Sequence, residues 1–223
     1  MVKIMAQVQR KARATGLGVF IKRANAVPFE EGLRKVAAQR ITLASNARVD
    51  DILTSSSRDK IDERLTILGG LSGWMGTMSA YGAPGEKLGE KIEYVDQRTG
   101  HKWIFPVPKE HKDKRSAIMI AEHSDYFLEI EGNNRVVHVP DVKVCVLPFP
   151  TYNDWFLTDP VHRIPVTENG DEEAGTRYLM RAYKRVGPVL REYDHERIRM
   201  GLDYAINLEY EPSYAYGLIK EAA

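Results

Sequence analysis

Hydrophobic positions along this chain follow two rhythms. In the first third they recur every three or four residues; over much of the remainder they alternate with polar ones. Residues 1–14 place Met1, Ile4, Met5 and Val8 on one side of a basic helix, ended by Gly16 and Gly18. LGVFIKR (17–23) reads as a short strand. PFEEGLRKVAAQR (28–40) reads as a second helix, with Pro28 near its first turn, Glu30 and Glu31 where the helix dipole favours negative charge, and Leu33, Val36 and Ala37 at helical spacing. A third helix starts at Ser45 or Asn46 and turns Val49, Ile52 and Leu53 inward. A fourth, RDKIDERLTIL (58–68), carries Ile61, Leu65 and Leu68 behind a cap at Ser56 or Ser57.

The pattern changes at residue 69. GGLSGWMGTMSAYGAPGEKLGE (69–90) holds seven glycines and a proline, which predicts a connector without long regular structure. From residue 91 successive strands are predicted. KIEYVD and KWIFPV flank a QRTGH turn as a hairpin. SAIMIAEH and DYFLEIE come next, and after the Gly132-Asn133-Asn134 turn comes RVVHVP. Tyr126, Leu128 and Ile130 alternate with Phe127, Glu129 and Glu131, the mark of a half-buried strand. VKVCVLP is the most apolar strand and is placed at the sheet centre, with WFLTD and VHRIPVT as edge strands.

Residues 171–187 are predicted as the longest helix. Asp171, Glu172 and Glu173 occupy its first turn, and Tyr178, Leu179, Ala182, Tyr183 and Val186 form its apolar stripe. Gly187-Pro188 ends it. DYAINLEY and YAYGLIKE add two strands. The expected fold class is therefore α+β. A helical N-terminal third (1–68, including the basic arm) leads through a Gly-rich connector (69–90) into a β-rich domain (91–223). That domain is a mainly antiparallel, strongly curved or barrel-like sheet carrying one long helix.

Composition bounds the function. With 43% hydrophobic and 28% charged residues, the chain has enough apolar content for a core and too much for a disordered protein. Cys145 is its only cysteine, so an intramolecular disulfide and a multi-cysteine zinc site are excluded. No apolar run is long enough to span a bilayer as a helix. Gln7, Gln9 and Arg10 interrupt the opening apolar stretch, unlike a secretory leader, and Thr15 is the one hydroxyl residue in a segment otherwise resembling a transit peptide. A cytoplasmic protein without a membrane partner is expected.

Charge alters this picture most. The first 29 residues hold six basic side chains, Lys3, Arg10, Lys11, Arg13, Lys22 and Arg23, and no acid. The remainder holds 26 basic and 31 acidic residues, so a +6 segment precedes a −5 body. Cations without counter-charge form a surface suited to nucleic acid or to an acidic protein partner. These six are the candidate binding residues.

Catalytic templates fare worse. Gly69, Gly70, Gly73 and Gly76 lack the Lys-Ser/Thr of a phosphate-binding loop, since Thr77-Met78 come after them. His101, His111, His123, His138, His162 and His195 show no metalloprotease spacing; His123 and His138, with Glu122 and Asp125 nearby, are read as surface or turn residues rather than a metal site. Asp125, Glu129 and Asp141 with Lys143 supply the residue types of a metal-dependent phosphoesterase, but also those of a solvated sheet face. Cys145 sits between Val144 and Val146, the setting of an inert buried thiol. Arg177, Arg181, Lys184, Arg185 and Arg191 suit a helix C-terminus without any ligand. Trp74, Trp103, Trp155, Tyr126, Tyr152, Tyr204, Tyr210, Tyr214 and Tyr216 gather in the β part and tail, where aromatics stack bases, anchor interfaces or simply fill strands.

The expectation is a non-enzymatic binding or structural protein, with no catalytic residue, cofactor or metal assigned. A metal-dependent phosphoesterase or nuclease and a self-assembling, virion-like homo-oligomer are the alternatives.

Overall fold

The computed structural model describes residues 2–4, 19–23, 29–39, 41–54, 72–96, 99–148, 155–168, 176–179, 185–193, 198–201 and 214–220. Within them the chain is mostly β, arranged as two open sheets with two α-helices.

The smaller sheet has five strands: β1 (Val2–Ile4), β8 (Phe127–Glu131), β9 (Asn134–His138), β6 (Lys102–Pro106) and β5 (Lys91–Val95), in that spatial order. The two predicted hairpins, β5–β6 and β8–β9, are both present and antiparallel. Phe127 faces His138 and Leu128 faces Val137 across the second. Leu128, Val137, Trp103, Phe105 and Ile92 point inward.

The larger sheet has eleven strands. Its main path runs β10 (Cys145–Pro148), β7 (Ala117–Glu122), β4 (Ser72–Tyr81), β14 (Arg185–Tyr193), β15 (Ile198–Gly201), β13 (Thr176–Leu179), β11 (Trp155–Thr158) and β12 (Pro165–Glu168). β16 (Tyr214–Lys220) pairs with β4 and also holds β2 (Val19–Arg23) and β3 (Thr42–Leu43).

The helix α1 (Phe29–Ala38) forms where the sequence predicts it. Glu30 and Glu31 sit in its first turn, and Phe29, Leu33 and Val36 are buried. Phe29 meets Trp74 of the large sheet at 5.9 Å and Trp103 of the small sheet at 6.3 Å between ring centroids, so the main core lies between helix and sheets. The charged end of the same turn is also inside. Glu30 and Arg135 of β9, each less than a tenth exposed, form a buried pair with Nε to Oε1 at 2.8 Å. Arg135 also donates to the Gly132 carbonyl, so α1 is pinned to the β8–β9 turn. The helix α2 (Asn46–Thr54) begins behind Ser45, whose hydroxyl accepts from the Arg48 N–H at 3.1 Å.

Several expectations are overturned. The N-terminal third is not mainly helical, because β1 and β2 stand there beside α1 and α2; only residues 2–4 of the expected 1–14 helix are described, as strand, and 58–68 lie outside the described residues. The long helix over 171–187 is absent: β13 and the start of β14 occupy its described part. Residues 176–179 pair with β11 on one side and β15 on the other, and a strand that completes a sheet outweighs a helical stripe. Pro188, expected to end a helix, instead lies inside β14 at a register shift between Pro188 and Leu190, where a missing N–H is tolerated.

The Gly-rich stretch is not irregular either. Residues 72–81 form β4, paired on both sides by β7 and β14, and every residue from Gly73 to Tyr81 is buried. Its glycines and small side chains allow close approach rather than flexibility. The apolar Cys145 strand, expected at the centre, ends the large sheet as β10. Neither sheet closes or curls into a barrel.

Candidate functional site

Three of the six predicted binding residues are described, and they lie on two sheet margins. Lys3 is in β1, the end strand of the small sheet, at the register position opposite Glu129. Lys22 and Arg23 are in β2, which pairs with β16 opposite Gly217 and Tyr216. Arg10, Lys11 and Arg13 lie outside the described residues.

Of the four residues named for phosphoester chemistry, the structure pairs Lys143 with Asp125 and gives Glu129 a different partner. Lys143 Nζ is 3.1 Å from Asp125 Oδ1. Glu129 Oε2 is 2.8 Å from His138 Nε2, and the His138 ring stacks on Phe127 at 4.8 Å. Asp141 opens an exposed 3-10 turn, Asp141–Lys143. Among the described residues no group of three or more His, Cys, Asp or Glu could hold a metal ion.

A polar cluster does converge elsewhere, at the C-terminal end of β7. Alternation along the strand sends Ala117, Met119 and Ala121 to the main core and Glu122 to the opposite face. Thr77 of β4 stands directly across from Glu122. Its hydroxyl donates to Glu122 Oε2 at 2.8 Å and accepts from the Asn46 backbone N–H at 2.8 Å. The other carboxylate oxygen meets His162 Nδ1 at 2.9 Å.

His162 belongs to the turn Asp159–Ile164, between β11 and β12. Asp159 organises it: Oδ2 accepts from the N–H groups of Val161 and His162, and Oδ1 from that of Ile164. Arg163 sits in the left-handed region at φ 58°. The side-chain amide of Asn46 secures that conformation, donating to the carbonyls of His162 and Arg163 at 2.8 and 2.9 Å. The Arg163 guanidinium lies 3.6 Å from Asp50 and 3.5 Å from Asp51 of α2.

On the core side, His123 completes the arrangement. Its Nδ1 accepts the Leu43 N–H at 2.9 Å, which fixes the neutral tautomer with hydrogen on Nε2. Burial holds this imidazole down at about 4, from an ordinary 6.5. His162 moves the other way: its hydrogen bond to Glu122 raises it above 6.5, against the opposing effect of burial, with the charges of Glu122 and Asp159 adding to the rise.

Cys145 is half-buried on the same sheet. Burial, then the negative charges of Asp159 and Glu122, push its thiol above the usual range. A nucleophilic cysteine needs the reverse shift. Burial likewise raises Tyr126, whose ring lies 5.6 Å from that of His123.

The cluster thus joins four segments: the strap Leu43–Asn46, β4, the end of β7 and the Asp159 turn. Each hydrogen bond between them fixes one segment to another, which is the structural role of satisfied buried polar groups. Sequence reasoning missed it. Its members lie 31, 40 and 116 residues apart along the chain, beyond any local spacing rule. The one local signal is Asp159-Pro160, the start of a turn in which an aspartate caps the N–H groups after it.

Among the described residues no helix is long and apolar enough to cross a membrane. Comparison with known proteins finds no matching family model, no matching curated protein and no matching solved structure.

Proposed function

We propose that this chain is a non-enzymatic binding or structural protein whose basic N-terminal segment engages nucleic acid or an acidic partner. The observation that carries this reading is the segregation of charge: six cations and no carboxylate up to residue 29, ahead of a body with excess acid. The placement of Lys3, Lys22 and Arg23 supports it. β1 ends its sheet and β2 pairs with β16 alone among the described strands, so both lie at margins. Sheet margins are where lysine and arginine are compatible with folding and where another chain can approach. Such cations neutralise phosphates or carboxylates and release counterions without reading sequence.

The polar cluster is consistent with a scaffold. Glu122 already serves both Thr77 and His162, and His123 serves Leu43.

The test replaces all six basic residues with glutamine and measures binding to random-sequence duplex DNA and to polyglutamate. Because β1 and β2 are paired strands, substitution is the right perturbation and truncation is not; circular dichroism checks that the fold persists. Loss of DNA binding supports a nucleic-acid partner, and loss of polyglutamate binding alone supports an acidic protein. Native affinity in the variant for both probes rejects the proposal.

A further inference from the structure

The turn Asp159–Ile164 is held in two different ways. Its internal shape depends on Asp159, which accepts three backbone N–H groups from within the turn itself. Its attachment to the sheet depends on Asn46, which grips two of its carbonyls, and on the His162–Glu122 contact. Only the last of these changes charge near neutral pH.

We propose that this turn is a pH-operated latch, docked on the large sheet by the His162–Glu122 ion pair and loosened when the imidazole loses its proton. The surroundings of His162 favour the protonated form in the docked state. Glu122 faces it from β7 and Asp159 lies within its own turn, while the neighbouring cation, Arg163, is turned to Asp50 and Asp51 of α2. On β10, Cys145 adds no positive charge. The next residue after Glu122, His123, is directed to the core and stays neutral above about pH 4, so it does not compete for the carboxylate.

Linkage gives the direction of the effect. An imidazole raised above its unfolded value contributes stability that is complete below about pH 6.5 and lost as pH rises through the docked-state value. Neutral His162 still donates or accepts one hydrogen bond, so the latch weakens rather than vanishes. Asn46 and Arg163 then carry most of the attachment. Loosening leaves Glu122 and Thr77 open to solvent and frees the turn tip, where Val161 is already 68% exposed.

Hydrogen–deuterium exchange on the full chain tests this. Amide protection of Asn46, whose N–H donates to Thr77 beneath the turn, corrected for intrinsic rates and referenced to Ile118–Ile120 in β7, is compared at pH 6 and pH 8.5. Protection is expected to fall by about two- to fivefold at the higher pH, the scale of a partly exposed ion pair. His162→Gln, which keeps a polar side chain without titrating, is expected to abolish that difference. Equal protection at both pH values, or the native difference persisting in His162→Gln, overturns the proposal. A variant that fails to fold is replaced by NMR titration of the native His162 ring: a midpoint above 6.5 supports the latch and one at or below 6.5 rejects it.

Discussion

The backbone N–H of Leu43 donates to Nδ1 of His123 across 80 residues of sequence, at 2.9 Å. That bond requires a neutral ring, and burial supplies one by holding the imidazole at about 4.

Acid should therefore weaken the fold through His123. A group whose folded value is depressed contributes stability that is complete above its unfolded value and lost as pH falls. The loss is expected between about pH 6.5 and pH 4 and amounts to about 3 kcal/mol. Urea denaturation at stepped pH measures it. The His123→Gln variant should be less stable at neutral pH and show a shallower decline below pH 6.5; an unaltered decline would assign the acid sensitivity to other groups.

Gly76 is where the strap presses closely on the sheet. Its N–H donates to the Ala44 carbonyl at 2.7 Å, and a Cβ there would stand 2.6 Å from the Leu43 carbonyl oxygen and 3.0 Å from His123 Cβ. Backbone atoms cannot give way as a flexible side chain does. Gly76→Ala is expected to destabilise by about 1–3 kcal/mol, the cost of overpacking. At Gly82 the nearest atom to an added Cβ would be 3.8 Å away, and Gly82→Ala should change stability by less than about 0.5 kcal/mol. Thermal melts of the two variants separate close approach from a general effect of glycine.

The Glu30–Arg135 pair predicts a larger loss for one substitution than for two. Glu30→Gln sets a buried guanidinium against a neutral amide in place of a carboxylate, and is expected to cost about 3 kcal/mol. Glu30→Leu combined with Arg135→Met removes both charges and should recover most of that loss. If the double variant were no more stable than Glu30→Gln, the pair would be a net contributor in its own right.

Elements whose periodicity matches their environment were legible in the sequence. Leu33 and Val36 mark α1, and the alternation around Leu128 marks β8, because each has one buried and one open face. Elements buried on both sides were not. β4 alternates little because both of its faces are covered, so Gly76 resembled loop punctuation when it marks tight packing. Residues 171–187 carried a helical apolar stripe behind a run of acids, and only pairing with β4, β11 and β15 decides for strand at 176–179 and from 185. Pro188 illustrates the point: its meaning depends on a register shift that no local pattern encodes. The polar cluster was hidden for the same reason, since Glu122 looks like any strand-end carboxylate until His162 arrives from 40 residues away.

The role assigned to the basic segment is tested most directly by salt. Binding to random-sequence duplex DNA is measured across a range of salt concentrations for the native chain and for the glutamine variant at Lys3, Arg10, Lys11, Arg13, Lys22 and Arg23. Each phosphate neutralised contributes about 0.9 to the slope of log affinity against log salt. The native slope should be steeper than that of the variant by about 0.9 for each cation engaged, a difference of about 5 when all six engage. Identical slopes would mean that these side chains touch no phosphate and would contradict the account.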